Sequence, residues 1–169
     1  MRAVTVERRP VPGDEPPTDS NGIALPELSF VHPIPGFTDL RRFVLVRLDD
    51  ATAVAGAAPA EGPSSAGAPA AESPLYELRS LEQADVRFMV AVPSAFFSDY
   101  EIELDDHECG DLGLTDASDA LVLVMLTIGP DAKSTTANLL APVVINAQTR
   151  AAAQVILTGS DWPVRAPLG

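Results

Sequence analysis

The sequence predicts an all-β domain, mainly antiparallel, that forms a barrel or a sandwich and carries one short helix. Three observations favour this class. Six to eight apolar segments recur at short spacing, separated by proline, glycine and aspartate. No strand–helix–strand repeat supports a parallel sheet. With 169 residues, the chain has the length of one domain with a core of its own.

The N-terminal part predicts two strands and two irregular segments. Residues 3–7 alternate weakly and suit an edge strand, and residues 10–22, rich in proline, glycine and acids, suit a long loop. A second strand is predicted over residues 23–31, with an interruption at Pro26. The two prolines and the glycine within residues 32–37 exclude regular structure, so a turn follows this strand.

Residues 43–48 and 75–79 predict the two strands of a hairpin with an enlarged turn. Of the 23 residues in segment 51–73 between them, 19 are alanine, glycine, proline or serine. Such a segment buries too little apolar surface to offset its ordering entropy, so we expect a disordered loop. An alanine-rich helix is opposed by its three prolines and three glycines. A long surface insertion costs little, because closure entropy grows only logarithmically with length.

The next elements are two strands and the helix. A strand over residues 86–92 ends at Pro93, and residues 100–104 alternate as a strand would. The helix is predicted within residues 105–116. Asp105 suits its N-cap, and acids near the positive end of the helix dipole favour it.

The C-terminal part predicts the most hydrophobic strand and the last one. Residues 120–128 are apolar enough to be buried on both faces or nearly so. Residues 153–158 are expected to close the domain, and the tail after them to be loose. We therefore place one domain at residues 1–158, with the disordered insertion at 51–73 and a loose tail at 159–169.

The run of residues 136–146, Thr-Ala-Asn-Leu-Leu-Ala-Pro-Val-Val-Ile-Asn, is the most informative segment. A plain core strand would not contain its proline, because proline cannot donate to a sheet ladder. We therefore expect a bend at Pro142, followed by a short strand over residues 143–145. Asn138 and Asn146 are expected to bind backbone groups around this bend, a role at least as favoured as contact with a partner.

The chain is acidic, with 11 basic and 24 acidic residues and a net charge of −13. The simpler interpretation of this net charge is that it only maintains solubility. Such a charge also repels nucleic acid and anionic membrane surfaces and favours basic partners. The single cysteine, Cys109, excludes an intrachain disulfide and fits a reducing compartment. Because no signal-like segment is present and the longest apolar run, residues 120–126, is too short to span a bilayer, we expect a cytoplasmic protein.

Residue sets that carry chemistry are scarce. His32 and His107 show no partner pattern, and His107 with Cys109 supplies two of the roughly four ligands that a zinc site needs. Glycine-rich phosphate loops, G-x-S-x-G and H-E-x-x-H motifs are absent from the sequence. We expect no catalytic residue, metal or cofactor, and no enzyme activity.

Residues 99–119 contain nine acids and no lysine or arginine. They lack the spacing of a calcium-binding EF-hand loop. Two interpretations stay open: a solvated face that discourages strand pairing, or a patch that meets a basic protein or excludes a polyanion. The candidate patch residues are Asp99, Glu101, Glu103, Asp105, Asp106 and Glu108.

Five blocks of residues follow one another in a characteristic order. They are Ile34-Pro35-Gly36-Phe37 before Phe43-Val44-Leu45; Ser73-Pro74-Leu75-Tyr76 with Leu78 and Ser80; Phe96-Phe97-Ser98-Asp99-Tyr100-Glu101; Thr136-Ala137-Asn138-Leu139 with Ala141-Pro142-Val143-Val144-Ile145-Asn146; and Gln154-Val155-Ile156-Leu157. Together they cover most of residues 23–158, and the ordered set resembles the FliW-type flagellar assembly factors. The signature candidates are Pro35, Gly36, Phe37, Thr136, Asn138, Leu139, Pro142, Asn146 and Gln154.

The resemblance implies a small, antiparallel, barrel-like β domain that is monomeric when unbound. It implies a protein that binds flagellin and the RNA-binding translational repressor CsrA, without a cofactor and without touching nucleic acid or membrane. In that scheme the free protein sequesters CsrA and relieves repression of flagellin mRNA, whereas flagellin titrates it away. Phe37 and Phe96 are candidate contacts, because interfaces enrich aromatic residues, although either could belong to the core.

Two alternatives are kept beside this regulator. In the first, a protein of the same fold is a dedicated cytoplasmic flagellin chaperone with no role toward CsrA. This hypothesis alone remains if the host encodes no CsrA. The other is a hydrolase or metal enzyme that uses His107, Cys109 and the surrounding acids. The absence of catalytic motifs disfavours the latter.

Overall fold

A computed structural model describes residues 4–6, 27–48 and 74–168 of the chain. The loop predicted at 10–22, the interruption at Pro26 and the disordered insertion at 51–73 lie outside these residues. The described residues form ten strands: β1 Val4–Val6, β2 Leu28–Phe30, β3 Arg42–Arg47, β4 Leu75–Ser80, β5 Arg87–Ala91, β6 Ile102–Leu104, β7 Ala120–Thr127, β8 Thr136–Asn146, β9 Ala151–Gln154 and β10 Ala166–Pro167. One helix, α1, spans Asp106–Leu112, and short 3-10 turns lie at Pro93–Ala95, Ala117–Asp119 and Ala132–Ser134.

Seven of the strands close a barrel. Their order is β8-β7-β5-β4-β3-β2-β9, and β9 pairs back onto β8. Six of these pairings are antiparallel, and only the β2–β9 pairing in this ring is parallel. The prediction of a mainly antiparallel, barrel-like β domain is therefore confirmed. The ring gives each of its strands a neighbour on both sides, which leaves no open edge in it.

Two hydrophobic clusters share the strands β7 and β8. The first lies inside the barrel and contains Phe43, Leu78 and Leu123. The second lies between the barrel and the layer formed by β6, α1 and the C-terminal segment, and it contains Val124 and Val144. Because neighbouring residues of a strand face opposite sides, Leu123 and Val124 enter different clusters and both are almost fully buried. The expected burial of this segment on both faces is confirmed at its centre only: the residues around the centre are half-buried, and Thr127 and Ile128 at its C-terminal end are exposed.

The helix α1 forms as the sequence predicts. The Asp105 carboxylate accepts the Glu108 backbone N–H at 2.8 Å, and the Glu108 carboxylate accepts the Asp105 N–H at 3.0 Å. This reciprocal pair is a capping box, which satisfies two donors that the first helical turn leaves unpaired. Gly113, with φ of 64°, ends the helix in the left-handed region. Within the described ranges, no helix combines the length and the apolar character needed to cross a bilayer.

The run 136–146 corrects one prediction. It is a single eleven-residue strand, β8, and not a bend followed by a short strand over 143–145. The ladder with β7 is regular up to the pair Leu123–Val143 and resumes at Met125–Asn138, so β8 carries extra residues around Pro142. At such an irregularity a proline removes no ladder hydrogen bond toward β7, which explains how the strand continues through it.

The C-terminal segment corrects a second prediction, because it is not loose. Its strand β10 pairs with the start of β8 through Ala166 and Ala137. The Trp162 ring packs edge-on against Tyr100, with centroids 4.9 Å apart. The sequence did not indicate this packing, because the apolar residues of the segment are isolated among prolines and show no strand or helix periodicity.

Candidate functional site

A surface groove of about 480 Å³ lies between β6 with the start of α1 and the segment that follows β9. One wall carries the carboxylates of Glu101, Glu103, Asp105 and Glu108. The other wall includes the side chains of Ile156 and Trp162. We call this feature the acidic groove. It joins segments about fifty residues apart in the chain, which only the fold brings together.

The acidic wall follows from strand alternation and the helix cap. Ile102 and Leu104 turn inward and are almost fully buried, which sends Glu101 and Glu103 outward. Asp105 and Glu108 sit at the helix start as the capping box. Burial raises the pKa of Glu108 above its usual range, although the hydrogen bond from the Asp105 backbone opposes this.

The sequence-predicted acidic patch is only partly one surface. Four of its six residues line the acidic groove. Asp99, in the turn before β6, and Asp106, on the first turn of α1, are exposed but lie outside the lining. No lysine or arginine is among the described residues that line the groove. Glu101 and Glu103 form no ion pair with any of the described residues.

The apolar wall is held by the signature strand. The Tyr100 hydroxyl donates to the Leu139 carbonyl at 2.7 Å, and the Leu139 N–H donates to the Pro163 carbonyl at 3.0 Å. Trp162 lies beside Pro163 and packs on the Tyr100 ring. Burial raises the pKa of the Tyr100 hydroxyl well above its usual range, so it stays a neutral donor. Leu139 therefore fixes the wall from beneath without lining the groove.

The remaining signature residues of β8 and β9 bind backbone groups. The Asn138 side-chain oxygen accepts the Ala141 N–H at 3.1 Å, and the Gln154 amide donates to the Ala141 carbonyl at 3.0 Å. These bonds hold the irregular part of β8 next to Pro142, as the sequence predicts for Asn138. Thr136 lies in the ladder opposite Thr127, where it contributes to sheet pairing.

Asn146 acts elsewhere than predicted. Its buried amide donates to the carbonyls of Leu112 and Gly113 at 2.9 and 3.1 Å. Its side-chain oxygen accepts the N–H groups of Gln148 and Thr149 at 2.9 and 3.1 Å. It therefore ties the end of α1 to the turn between β8 and β9, and not to the region of Pro142.

The signature turn Pro35-Gly36-Phe37 lies at the barrel and not at the acidic groove. Gly36 has φ of 90°, a conformation that side chains with a Cβ rarely adopt. The Phe37 ring packs edge-on against Phe88, with centroids 5.1 Å apart, so it belongs to the barrel packing. Phe96, the other aromatic candidate, is exposed.

The two histidines meet at one carboxylate, which sequence reasoning missed. The distances from Asp111 Oδ2 are 2.9 Å to His32 Nε2 and 3.5 Å to His107 Nε2. The hydrogen bond from His32 lowers the pKa of Asp111. The spacing of His107 and Asp111, one helical turn apart, was a visible signal; the approach of His32 was not, because 79 residues separate it from Asp111.

The geometry does not support chemistry at His107 and Cys109. Cys109 is buried in the cluster beneath α1, and burial raises the pKa of its thiol. His107 lies on the exposed side of the helix with Asp111 as its neighbour. Among the described residues, no group of three or more His, Cys, Asp or Glu side chains is arranged to hold a metal ion.

Comparisons with known proteins point to one family. The family model described as FliW protein matches residues 66–168. The flagellar assembly factor FliW of Bacillus pumilus is 35% identical over 135 residues, which are 80% of this chain and 79% of that protein. The factor of the same name from Anoxybacillus flavithermus is 34% identical over 138 residues, 82% of this chain and 80% of that protein. A crystal structure of the flagellar assembly factor FliW has a TM-score of 0.67 at 32% identity and covers 84% of each chain.

Proposed function

Because the chain belongs to the FliW family of flagellar assembly factors, we propose that it is a non-catalytic regulator that binds flagellin and the RNA-binding repressor CsrA in the cytoplasm. The free protein sequesters CsrA and so relieves repression of flagellin mRNA. Flagellin that accumulates before export binds the protein and releases CsrA. The family match over four-fifths of the chain is the observation that carries this proposal.

The charge distribution supports binding to a basic protein. A protein that binds RNA needs lysine and arginine to neutralise phosphates. The acidic groove carries four carboxylates, and the whole chain has a net charge of −13. Docked beside an RNA-binding surface, such a charge would repel phosphate through its field without covering the surface itself. Such electrostatic repulsion would let the protein antagonise CsrA without competing with RNA for the same contacts on CsrA.

The second candidate is a flagellin chaperone without a role toward CsrA. It is favoured by the exposed apolar side chain of Ile156, 55% exposed, beside Trp162 in the groove. An exposed apolar surface of this kind is suited to bind the apolar surface of a subunit that would otherwise aggregate. This candidate needs flagellin alone.

The test is a binding titration of the purified chain against flagellin and CsrA purified from the same host, at modest salt. We expect both to bind, and we expect added flagellin to release bound CsrA. Binding of flagellin alone, or a host genome without CsrA, would leave the chaperone. Binding of neither protein would contradict both candidates.

A further inference from the structure

We propose that the acidic groove is the docking site for a basic amphipathic segment of the RNA-binding partner. The segment places an apolar side chain against Ile156 and Trp162 and lysine or arginine side chains beside Glu101 and Glu103. The inference rests on the proposed function and deepens it, because it names the surface and the chemistry of the segment that binds there.

The apolar contact is set by the backbone around Ile156. Val155 and Leu157 face the core, and their N–H groups donate to the carbonyls of Pro142 and Leu140 on β8. Alternation then sends the Ile156 side chain into the groove, where more than half of it is exposed. The hydrogen bonds on both sides fix its position. An apolar side chain of a partner would meet a surface that is already ordered.

Trp162 extends this apolar surface and is equally fixed. Its ring packs on Tyr100, whose hydroxyl is bonded to Leu139. The neighbouring Pro163 carbonyl accepts the Leu139 N–H. Tryptophan and tyrosine are the side chains most enriched at positions that dominate binding energy. The contacts of Leu139 therefore prepare this wall for a partner.

The negative charge of the wall formed by Glu101 and Glu103 favours a basic segment as the binding partner. Glu101 and Glu103 have no ion pair within the described structure, and the groove lining supplies no basic side chain. A segment without positive charge would desolvate these carboxylates without supplying a counter-charge. A second copy of the chain would bring another net charge of −13, and nucleic acid would be repelled in the same way. A basic protein segment satisfies both walls at once.

The experiment compares two groove variants with two matched controls. Ile156→Gln is paired with Ile128→Gln, because Ile128 is 58% exposed and lies outside the groove. Glu101→Gln/Glu103→Gln is paired with Asp39→Asn/Asp85→Asn, which removes the same charge at exposed positions elsewhere. Each variant is titrated with host CsrA and, separately, with host flagellin. Thermal unfolding confirms that each variant folds.

We expect both groove variants to weaken CsrA binding by about tenfold or more, and both controls to stay within about twofold of wild type. If wild type binds CsrA and the groove variants bind as well as their controls, this inference is overturned and the proposed function stands. If the groove variants weaken flagellin binding alone, the groove serves flagellin and the assignment to the RNA-binding partner is wrong. If wild type self-associates and Ile156→Gln abolishes that, the occupant is a second copy and the assignment also fails. If wild type binds neither protein, the proposed function fails and this inference with it.

Discussion

The acidic groove and the outer face of β3, β4 and β5 use charge in opposite ways. On the outer face, the buried carboxylate of Glu77, only 7% exposed, accepts two hydrogen bonds from Arg79, at 2.6 and 2.8 Å, and lies 3.5 Å from Arg87. In the groove, Glu101 and Glu103 have no basic partner among the described residues. Glu77 thus contributes to the fold through its ion pairs, whereas Glu101 and Glu103 are candidates for contact with a partner.

Other acids near β3 follow the pattern of Glu77. Glu27 forms a two-point ion pair with Arg42, at 2.5 and 3.0 Å. Glu82 accepts the backbone N–H groups of Arg41 and Arg42 at 2.6 and 3.0 Å, and these bonds lower the pKa of its carboxyl. Glu27 and Glu82 thereby bind residues 15 and about 40 positions away, and Glu77 binds Arg79 of its own strand and Arg87 of the next one. Each of these carboxylates is therefore bonded to arginine side chains or backbone groups of the described structure.

The groove side is held by the capping box of Asp105 and Glu108 and by neutral hydrogen bonds. Asn146 fixes the end of α1, and Tyr100 fixes the β8 backbone beneath Trp162. Glu101 and Glu103 form none of these bonds and take no part in the capping box. The comparison teaches that pairing, and not the number of acids, distinguishes a structural charge from one that can meet a partner.

The largest effect should come from removing the Asn146 tie. Asn146→Ala deletes four hydrogen bonds of a buried side chain and leaves the partner backbone groups unpaired. At about 1 kcal/mol per neutral bond, we expect the free energy of unfolding to fall by about 2–4 kcal/mol. Urea denaturation measures this. Asn138→Ala, which removes one bond, serves as the control and should cost about 1 kcal/mol. Equal losses for the two variants would contradict the assigned role.

The second prediction tests the two classes of carboxylate directly. Glu77→Gln removes the charge of a buried carboxylate that accepts two hydrogen bonds from Arg79 and should lower the free energy of unfolding by about 1–3 kcal/mol. Glu103→Gln changes an exposed carboxylate without an ion pair in the described structure and should change it by less than about 0.5 kcal/mol. Chemical denaturation of both variants is the measurement. If Glu103→Gln lowered the free energy of unfolding as much as Glu77→Gln, the distinction between structural and unpaired carboxylates would be wrong.

The third prediction concerns salt. The Debye length falls from about 10 Å at 0.1 M to about 3 Å at 1 M, so exposed charges in the groove are screened. We expect CsrA binding to weaken several-fold over this range, and Glu101→Gln/Glu103→Gln to reduce that dependence. Titration calorimetry at several salt concentrations measures it. Salt-independent binding would mean that the carboxylates of the groove do not contribute.

The smallest effect should be the pH dependence of the contact between His32 and Asp111. The hydrogen bond from His32 lowers the pKa of Asp111 in the folded state, below the value of about 3.9 expected for the unfolded chain. Its stabilisation is therefore present above about pH 4 and is lost as the pH falls through the folded-state pKa. We expect a small difference in Tm between wild type and Asp111→Asn at pH 5 that closes toward pH 3. The same substitution in a His32→Ala background should show a smaller pH dependence, and an unchanged dependence would rule out His32 as the cause.

Local features of this protein could be read from the sequence. The short alternating segments predict the β class, the hairpin of β3 and β4 is confirmed as an antiparallel pair, and Asp105 caps the helix as its spacing indicates. The run of acids between residues 99 and 119 was visible as well. The continuous path of β8 through Pro142 was not, because the irregular register that tolerates the proline depends on the β7 partner.

By itself, the sequence determined what each segment is: its period, its caps, its charge and the order of its signature residues. The tertiary structure decided which segments meet. It closed the barrel with the parallel pair of β2 and β9, returned the C-terminal segment onto β8, and set Ile156 and Trp162 opposite Glu101 and Glu103. Periodicity reports whether a face is buried but not which face covers it, because long-range partners are selected by the packing of the whole core.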